Sequence, residues 1–210
     1  MVMAAMHSGQ NEGRHMILGL SGAKGSGKDT VAAYLVKTHG FERKAFADPL
    51  KKSIAALFDI PFSDIDRLKN HPRAKMQVVI ESEYDESEVE ILSDYTFRVG
   101  LQRYGTEAHR DVFGEDFWLD YTLPVGGYYP GRAIVVTDVR FENEANRVRQ
   151  LDGYNVRIFR DSAPEDKDQH RSENFDFPYD LTILNHGDID DLYVSVEEIL
   201  TLAGHHIRVE

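Results

Sequence analysis

The chain has 210 residues, with 24 Lys and Arg against 36 Asp and Glu, a net charge of −12, and no cysteine. That length suits one generous domain whose sheet is covered on both faces. The acidic balance argues against a nucleic-acid duplex as the main partner. The lack of cysteine removes disulfides and thiolate metal sites, and no apolar run nears the ~20 residues that span a bilayer.

Residues 1–15 lack the apolar centre of a signal peptide and read as a flexible leader, so a cytoplasmic protein is the expectation. MILGL, from Met16 to Leu20, is a short apolar run that reads as a buried strand. It feeds directly into GAKGSGKDT, Gly22 to Thr30. Val31, Tyr34, Leu35 and Thr38 follow at helical spacing, and Gly40 closes that helix. FERKAF suggests a second strand ending at Asp48-Pro49, and Leu50, Ile54, Leu57 and Phe58 mark another helix. The acidic stretch ESEYDESEVE, Glu81 to Glu90, reads as a solvated hairpin or loop.

Helical spacing returns from Asp94 to Phe113. AIVVTDV, Ala133 to Val139, is β-branched and apolar on both faces, the strongest strand signal in the chain. The helix ENEANRVRQL, a stop at Gly153 and the strand YNVRIF come next. A polar segment, about 160–176, precedes a last strand, DLTIL, and a final helix from about Asp190 to Ala203. Five strands alternating with helices imply an α/β fold: a mostly parallel five-stranded sheet with helices on both faces, in a single domain over 16–210.

Gly22, four residues, then Gly27-Lys28 match the opening of the phosphate-loop pattern, with Asp29 where a hydroxyl is expected. A strand before the loop and a helix after it are the context that such a site needs. Glycines let backbone N–H groups turn around a phosphate, and the helix N-terminus adds partial positive charge. Lys28 can reach the β- and γ-phosphates. A carboxylate at Asp29 is itself a hard-oxygen partner for Mg²⁺, and Thr30 supplies a hydroxyl one residue on. A glycine-rich turn that only caps a helix explains the strand, lysine and helix less well.

On the helix around residues 97–109, Phe97, Leu101, Tyr104 and Ala108 fall on one face. Arg98, Gln102, Gly105 and Thr106 fall on an adjoining polar face, and Arg98, Gln102 and Thr106 line up at i, i+4 and i+8. A planar cation, an amide and a hydroxyl suit a phosphate and a base edge; a solvated helix face is the plainer alternative. Asp138 ends the AIVVTDV strand at its carboxyl end, where open α/β sheets bind ligands. Arg140 and Glu144 follow it. Trp118, the one tryptophan, either stacks on a base or belongs to the core. The polar segment is read as holding Arg157, Arg160, Lys167, His170 and Arg171, either as a basic lid that excludes water from a transferring phosphoryl group or as a surface loop.

In order along the chain, SGAKGSGKDTVA, FADPLK, LQRYGTE, EDFW and TDVRFENEA resemble the deoxynucleoside monophosphate kinases of tailed bacteriophages, over about Ser21 to Ala145. The resemblance implies a three-layer α/β/α P-loop kinase fold with a small lid. It also implies transfer of the ATP γ-phosphoryl group, with Mg²⁺, to a deoxynucleoside monophosphate, giving the diphosphate and ADP. On this resemblance Ala23, Lys24, Gly25, Ser26, Gly27, Lys28, Asp29 and Thr30 hold ATP. Arg98, Gln102, Gly105, Thr106, Trp118, Asp138, Arg140 and Glu144 surround the monophosphate.

Lys28, Arg140 and Asp138 are then catalytic, Asp29 and Asp138 hold the metal, and Arg160 and Arg171 are lid residues. The resemblance further implies a homodimer acting on small molecules alone. Two alternatives stay open: a kinase on the same fold with an acceptor of the phosphomevalonate or dephospho-coenzyme A type, and a nucleotide-binding regulatory module that hydrolyses ATP.

Overall fold

The computed structural model of the chain describes residues 15–81, 89–127, 129, 131–160 and 177–206. Most of the expected leader, the middle of the acidic stretch and the expected lid, with Arg171, lie outside the described residues. The described chain gathers into two compact units, one built from residues up to Ala45 and from Leu123 onward, the other from Phe46 to Thr122.

The first unit opens with strand β1 (Met16–Ser21), all six of whose residues are buried. A strand covered on both faces has no reason to alternate, which is why MILGLS reads as a continuous apolar run. Helix α1 (Lys28–His39) and strand β2 (Glu42–Lys44) follow. Gly40, at φ 71°, ends α1 as the sequence predicts. β2 is shorter than FERKAF suggested, because Asp48 and Pro49 do not end a strand. They open a helix of the second unit, where proline in the first turn loses no hydrogen bond.

Past the second unit, the first resumes with strand β5 (Ala133–Val136), helix α7 (Glu142–Gln150), strands β6 (Tyr154–Phe159) and β7 (Leu181–Leu184), and helix α8 (Ile189–His206). The five strands pair in parallel in the order β2-β5-β1-β6-β7. The even-numbered residues Leu18, Leu20, Val156 and Ile158 point to one face, with Val135 of β5 and Ile183 of β7. There they pack against Val31, Ala32 and Leu35 of α1 and against Leu192, Val196, Ile199 and Ala203 of α8. The spacing of that α8 stripe is the signature of a helix laid on a sheet.

On the opposite face the Asn155 side-chain amide donates to the Ala145 carbonyl of α7 at 3.0 Å, and Val148 of α7 reaches Gly19. Helices thus flank both faces. At the surface Tyr34 stacks on Tyr193 at 4.1 Å, and both Tyr34 and His39 meet Glu197 at 2.7 Å. The bond from Tyr34 holds the Glu197 carboxyl below the ordinary carboxylate range and raises the Tyr34 phenol in return.

The second unit contains α2 (Asp48–Leu57), α3 (Ile65–Asn70), strands β3 (Lys75–Glu81) and β4 (Val89–Thr96), α4 (Phe97–Gly105), a π-helical turn (Thr106–Arg110), α5 (Asp111–Phe113) and α6 (Phe117–Thr122). β3 and β4 are antiparallel, with an irregularity between Val78 and Val79. The arms of the acidic stretch are therefore strands, and Asp94 to Thr96, expected as helix, complete β4. The unit's core is Ile54, Ala55, Ile65, Met76, Phe97 and Leu101. Leu57, placed on the buried face of its helix by spacing, is 65% exposed.

Candidate active site

Strand order decides where a ligand can bind in the first unit. β1 lies between β5 and β6, so the loops leaving β1 and β5 emerge side by side at the carboxyl edge of the sheet, the usual binding crevice of open α/β sheets. A direct bond joins them: the Val139 N–H donates to the Leu20 carbonyl at 3.2 Å. That bond brings the segment leaving β1, which runs on into Gly22 to Thr30, beside the segment that carries Asp138.

The loop itself is tightly fitted. A Cβ at Gly22 would stand 2.4 Å from the Ile158 carbonyl oxygen, so β6 presses directly on the loop's first residue. Gly27 has φ 108°, and a Cβ there would meet the Asn185 side chain at 2.6 Å. That amide donates to the Ser26 carbonyl at 2.8 Å in a buried position, which ties the loop to the end of β7. The Lys28 ammonium bends back over the loop and donates to the Gly22 and Ala23 carbonyls at 2.6 and 2.7 Å. Ser26 is 1% exposed, and its hydroxyl has no hydrogen-bond partner among the described residues. Asp29 and Lys24 are exposed, and Thr30 is half-buried.

Ser21, the last residue of β1, is fully buried and accepts from the Arg157 Nε at 3.0 Å. Arg157 was expected in the polar segment; it lies in β6, 7% exposed, with its guanidinium 5.3 Å from the ring centres of both Phe177 and Tyr179. Aromatic faces accommodate a buried guanidinium through its flat, weakly hydrated surface. Arg160, by contrast, is exposed at the end of the same strand.

After β5 the Asp138 side chain is half-buried and Arg140 is exposed. Glu144 is 3% exposed. One of its carboxylate oxygens accepts the backbone N–H groups of Arg140 and Phe141 at 2.7 and 3.1 Å. Glu144 thus satisfies orphan donors at the start of α7, where a negative charge also suits the helix dipole. It shapes the loop that carries Asp138 and Arg140.

In the second unit Arg98, Gln102 and Thr106 are all exposed along α4 and its continuation. The Arg98 Nη2 donates to the Asn70 Oδ1 at 3.0 Å. Trp118 is 5% exposed, its ring 4.8 Å from both His109 and Phe117. Its indole N–H donates to the Gly105 carbonyl at 3.1 Å, and the His109 Nδ1 faces the Tyr104 carbonyl at 2.7 Å. The indole N–H is thus satisfied inside its own unit.

Those two side chains explain the π-helical turn. Beyond Gly105 the ladder lengthens, and the Asp111 N–H reaches back five residues to the Thr106 carbonyl. The carbonyls at the point of change each receive a side-chain donor. The extra residue rotates everything after it, so Ala108, expected on the apolar face with Phe97, Leu101 and Tyr104, is exposed. Asn185, Ser21 and Asn70 had no assigned role in the sequence because each is a common polar residue at a strand or helix end.

The sequence model of the deoxynucleotide monophosphate kinase family matches residues 60–196 of this chain. A protein of Acanthamoeba polyphaga mimivirus, named "Putative deoxynucleotide monophosphate kinase", is 32% identical over 196 residues, which cover 86% of this chain and 94% of that protein. The likeness thus reaches a giant virus as well as the bacteriophage proteins that the motifs resemble. Among the described residues no helix is long and apolar enough to cross a membrane.

Proposed function

We propose how the parts described above share the reaction of this chain, which belongs to the deoxynucleotide monophosphate kinase family. It is an ATP-dependent kinase that transfers a phosphoryl group to a deoxynucleoside monophosphate. The acceptor oxygen is already anionic near neutral pH, so no strong general base is needed. The protein's task is positioning and charge neutralisation.

We assign ATP to the loop from Ala23 to Thr30. The observation that carries this is the bonding of that loop at both ends: Asn185 holds the Ser26 carbonyl and Lys28 lies over Gly22 and Ala23. A cradle held that firmly costs little reorganisation when phosphate arrives. The buried Ser26 hydroxyl adds a polar group with no other use among the described residues. Lys28 neutralises the β- and γ-phosphates.

Asp29 and Asp138 fit a metal of the Mg²⁺ kind. No group of three or more His, Cys, Asp or Glu side chains gathers among the described residues, and Mg²⁺ needs only one or two carboxylates beside phosphates and water. Asp29 and Asp138 would hold it, and it would supply positive charge to offset that of the phosphates.

Arg98, Gln102 and Thr106 take the acceptor on the exposed face of α4, while Gly105 is buried, and a Cβ there would meet Leu50 at 3.1 Å. Arg140 supplies a further cation for the phosphates. Glu144 positions Arg140, and Trp118 positions α4. The lid arginines, Arg160 and Arg171, and the homodimer belong to the same proposal.

Coupled ADP release with ATP, Mg²⁺ and each common deoxynucleoside monophosphate tests the assignment. Lys28→Ala should lower kcat by well over tenfold, which is about 1.4 kcal/mol, while ATP still binds. A kcat within tenfold of the unaltered chain removes Lys28 from the phosphoryl site.

A further inference from the structure

From Arg67 to Lys75 the chain reads RLKNHPRAK, with four Lys or Arg and no acidic residue in nine positions of a chain whose net charge is −12. The division of labour above uses none of these residues. α3 ends at Asn70, and the chain turns through His71 to Ala74 before β3. The turn is defined by the His71 N–H on the Leu68 carbonyl at 3.1 Å and the Ala74 N–H on the His71 carbonyl at 3.2 Å.

Two further bonds fasten this turn to the start of α4. The Phe97 N–H donates to the Ala74 carbonyl at 2.8 Å, and Arg98 donates to the Asn70 Oδ1. The Asn70 Nδ2 is already committed to the Asp66 carbonyl at 2.8 Å, so its oxygen is the end offered to Arg98. The strand register opposes Lys75 to Thr96, the residue before α4. Arg73 adjoins the bonded Ala74 and so belongs to the same corner of the unit as Arg98.

The nearby carboxylates of α3 and the turn before it are engaged elsewhere. Asp64 pairs with Arg67 at 2.9 Å and Asp66 with Lys51 at 2.8 Å. Arg73 is exposed and has no ion pair among the described residues. Arg73 precedes the bonded Ala74 and Arg98 follows the bonded Phe97, so the backbone brings both residues to this turn, and a phosphate dianion offers guanidinium groups charge-assisted hydrogen bonds.

We propose that Arg73 is a second phosphate-binding residue for the monophosphate acceptor, working beside Arg98, whose guanidinium is positioned by Asn70. The inference rests on the assignment of the acceptor to α4. The test is binding to the full chain, without ATP, of the best deoxynucleoside monophosphate and of the matching deoxynucleoside, which lacks the phosphate. Arg73→Ala should weaken monophosphate binding at least tenfold, about 1.4 kcal/mol, and leave deoxynucleoside binding and the KM for ATP within twofold. Arg73→Lys, which keeps the charge, should lose less.

Arg98→Ala is measured in parallel. If it weakens the monophosphate and Arg73→Ala does not, the proposal falls while the α4 assignment stands. If neither variant matters, both fall. Equal weakening of monophosphate and deoxynucleoside by Arg73→Ala also overturns the proposal, since only loss of shape would produce it.

Discussion

Asn185 illustrates how a single amide supports the phosphate loop. Its bond to the Ser26 carbonyl is buried, and Gly27 leaves the space that its side chain occupies. Removing the amide strands a buried carbonyl, a cost of ~1–3 kcal/mol. Asn185→Ala should therefore raise the KM for ATP severalfold and leave the KM for the monophosphate unchanged in two-substrate kinetics. An unaltered KM for ATP would reduce Asn185 to a residue of stability alone. GAKGSGKDT could be read because its glycines and lysine are demanded by local geometry. Asn185 could not, because its role depends on a partner 159 residues away.

At the scale of elements, the helix with the residues proposed to take the acceptor was half legible. The spacing of Arg98, Gln102 and Thr106 predicts one exposed row, and all three are exposed. The same spacing put Ala108 inside, and it failed there because a π-helical turn inserts a residue that no periodicity announces. The clue lay in two donors, His109 and Trp118, that satisfy the Tyr104 and Gly105 carbonyls. Trp118→Phe keeps a ring and deletes the N–H. It should cost ~1–3 kcal/mol, read as a fall in Tm at roughly 2–4 °C per kcal/mol for a chain of this length. A raised KM for the monophosphate with an unchanged Tm would instead return Trp118 to stacking on the base.

For the whole molecule, the five strands and their helices follow from patterning, because a parallel strand buried on both faces must be apolar throughout. Their order does not follow, since pairing joins segments far apart in the chain. The second unit, Phe46 to Thr122, begins at the first residue of FADPLK without a Gly-, Ser- or Pro-rich linker to mark it. Its β3–β4 pair was legible only as one of two readings, hairpin or loop, because acidic residues read as solvated chain whether or not a backbone ladder joins them.

β1 is the middle strand of the sheet and the first to be synthesised. Ser21 waits for Val156, 135 residues later, and at ~5–20 residues per second a ribosome needs roughly 7–27 s to deliver it. For most of that interval the nascent chain carries an apolar strand with neither neighbour available, because β5 is itself made only from Ala133 onward. Stalled nascent chains that end before Ala133 should accordingly be cleaved by protease within residues 16–21, whereas chains with both β5 and β6 clear of the ribosome should resist. Early protection would mean that β1 finds temporary cover elsewhere. Mutations that slow the arrival of β6 would then lower the yield of enzyme without altering the kinetics of the molecules that do fold.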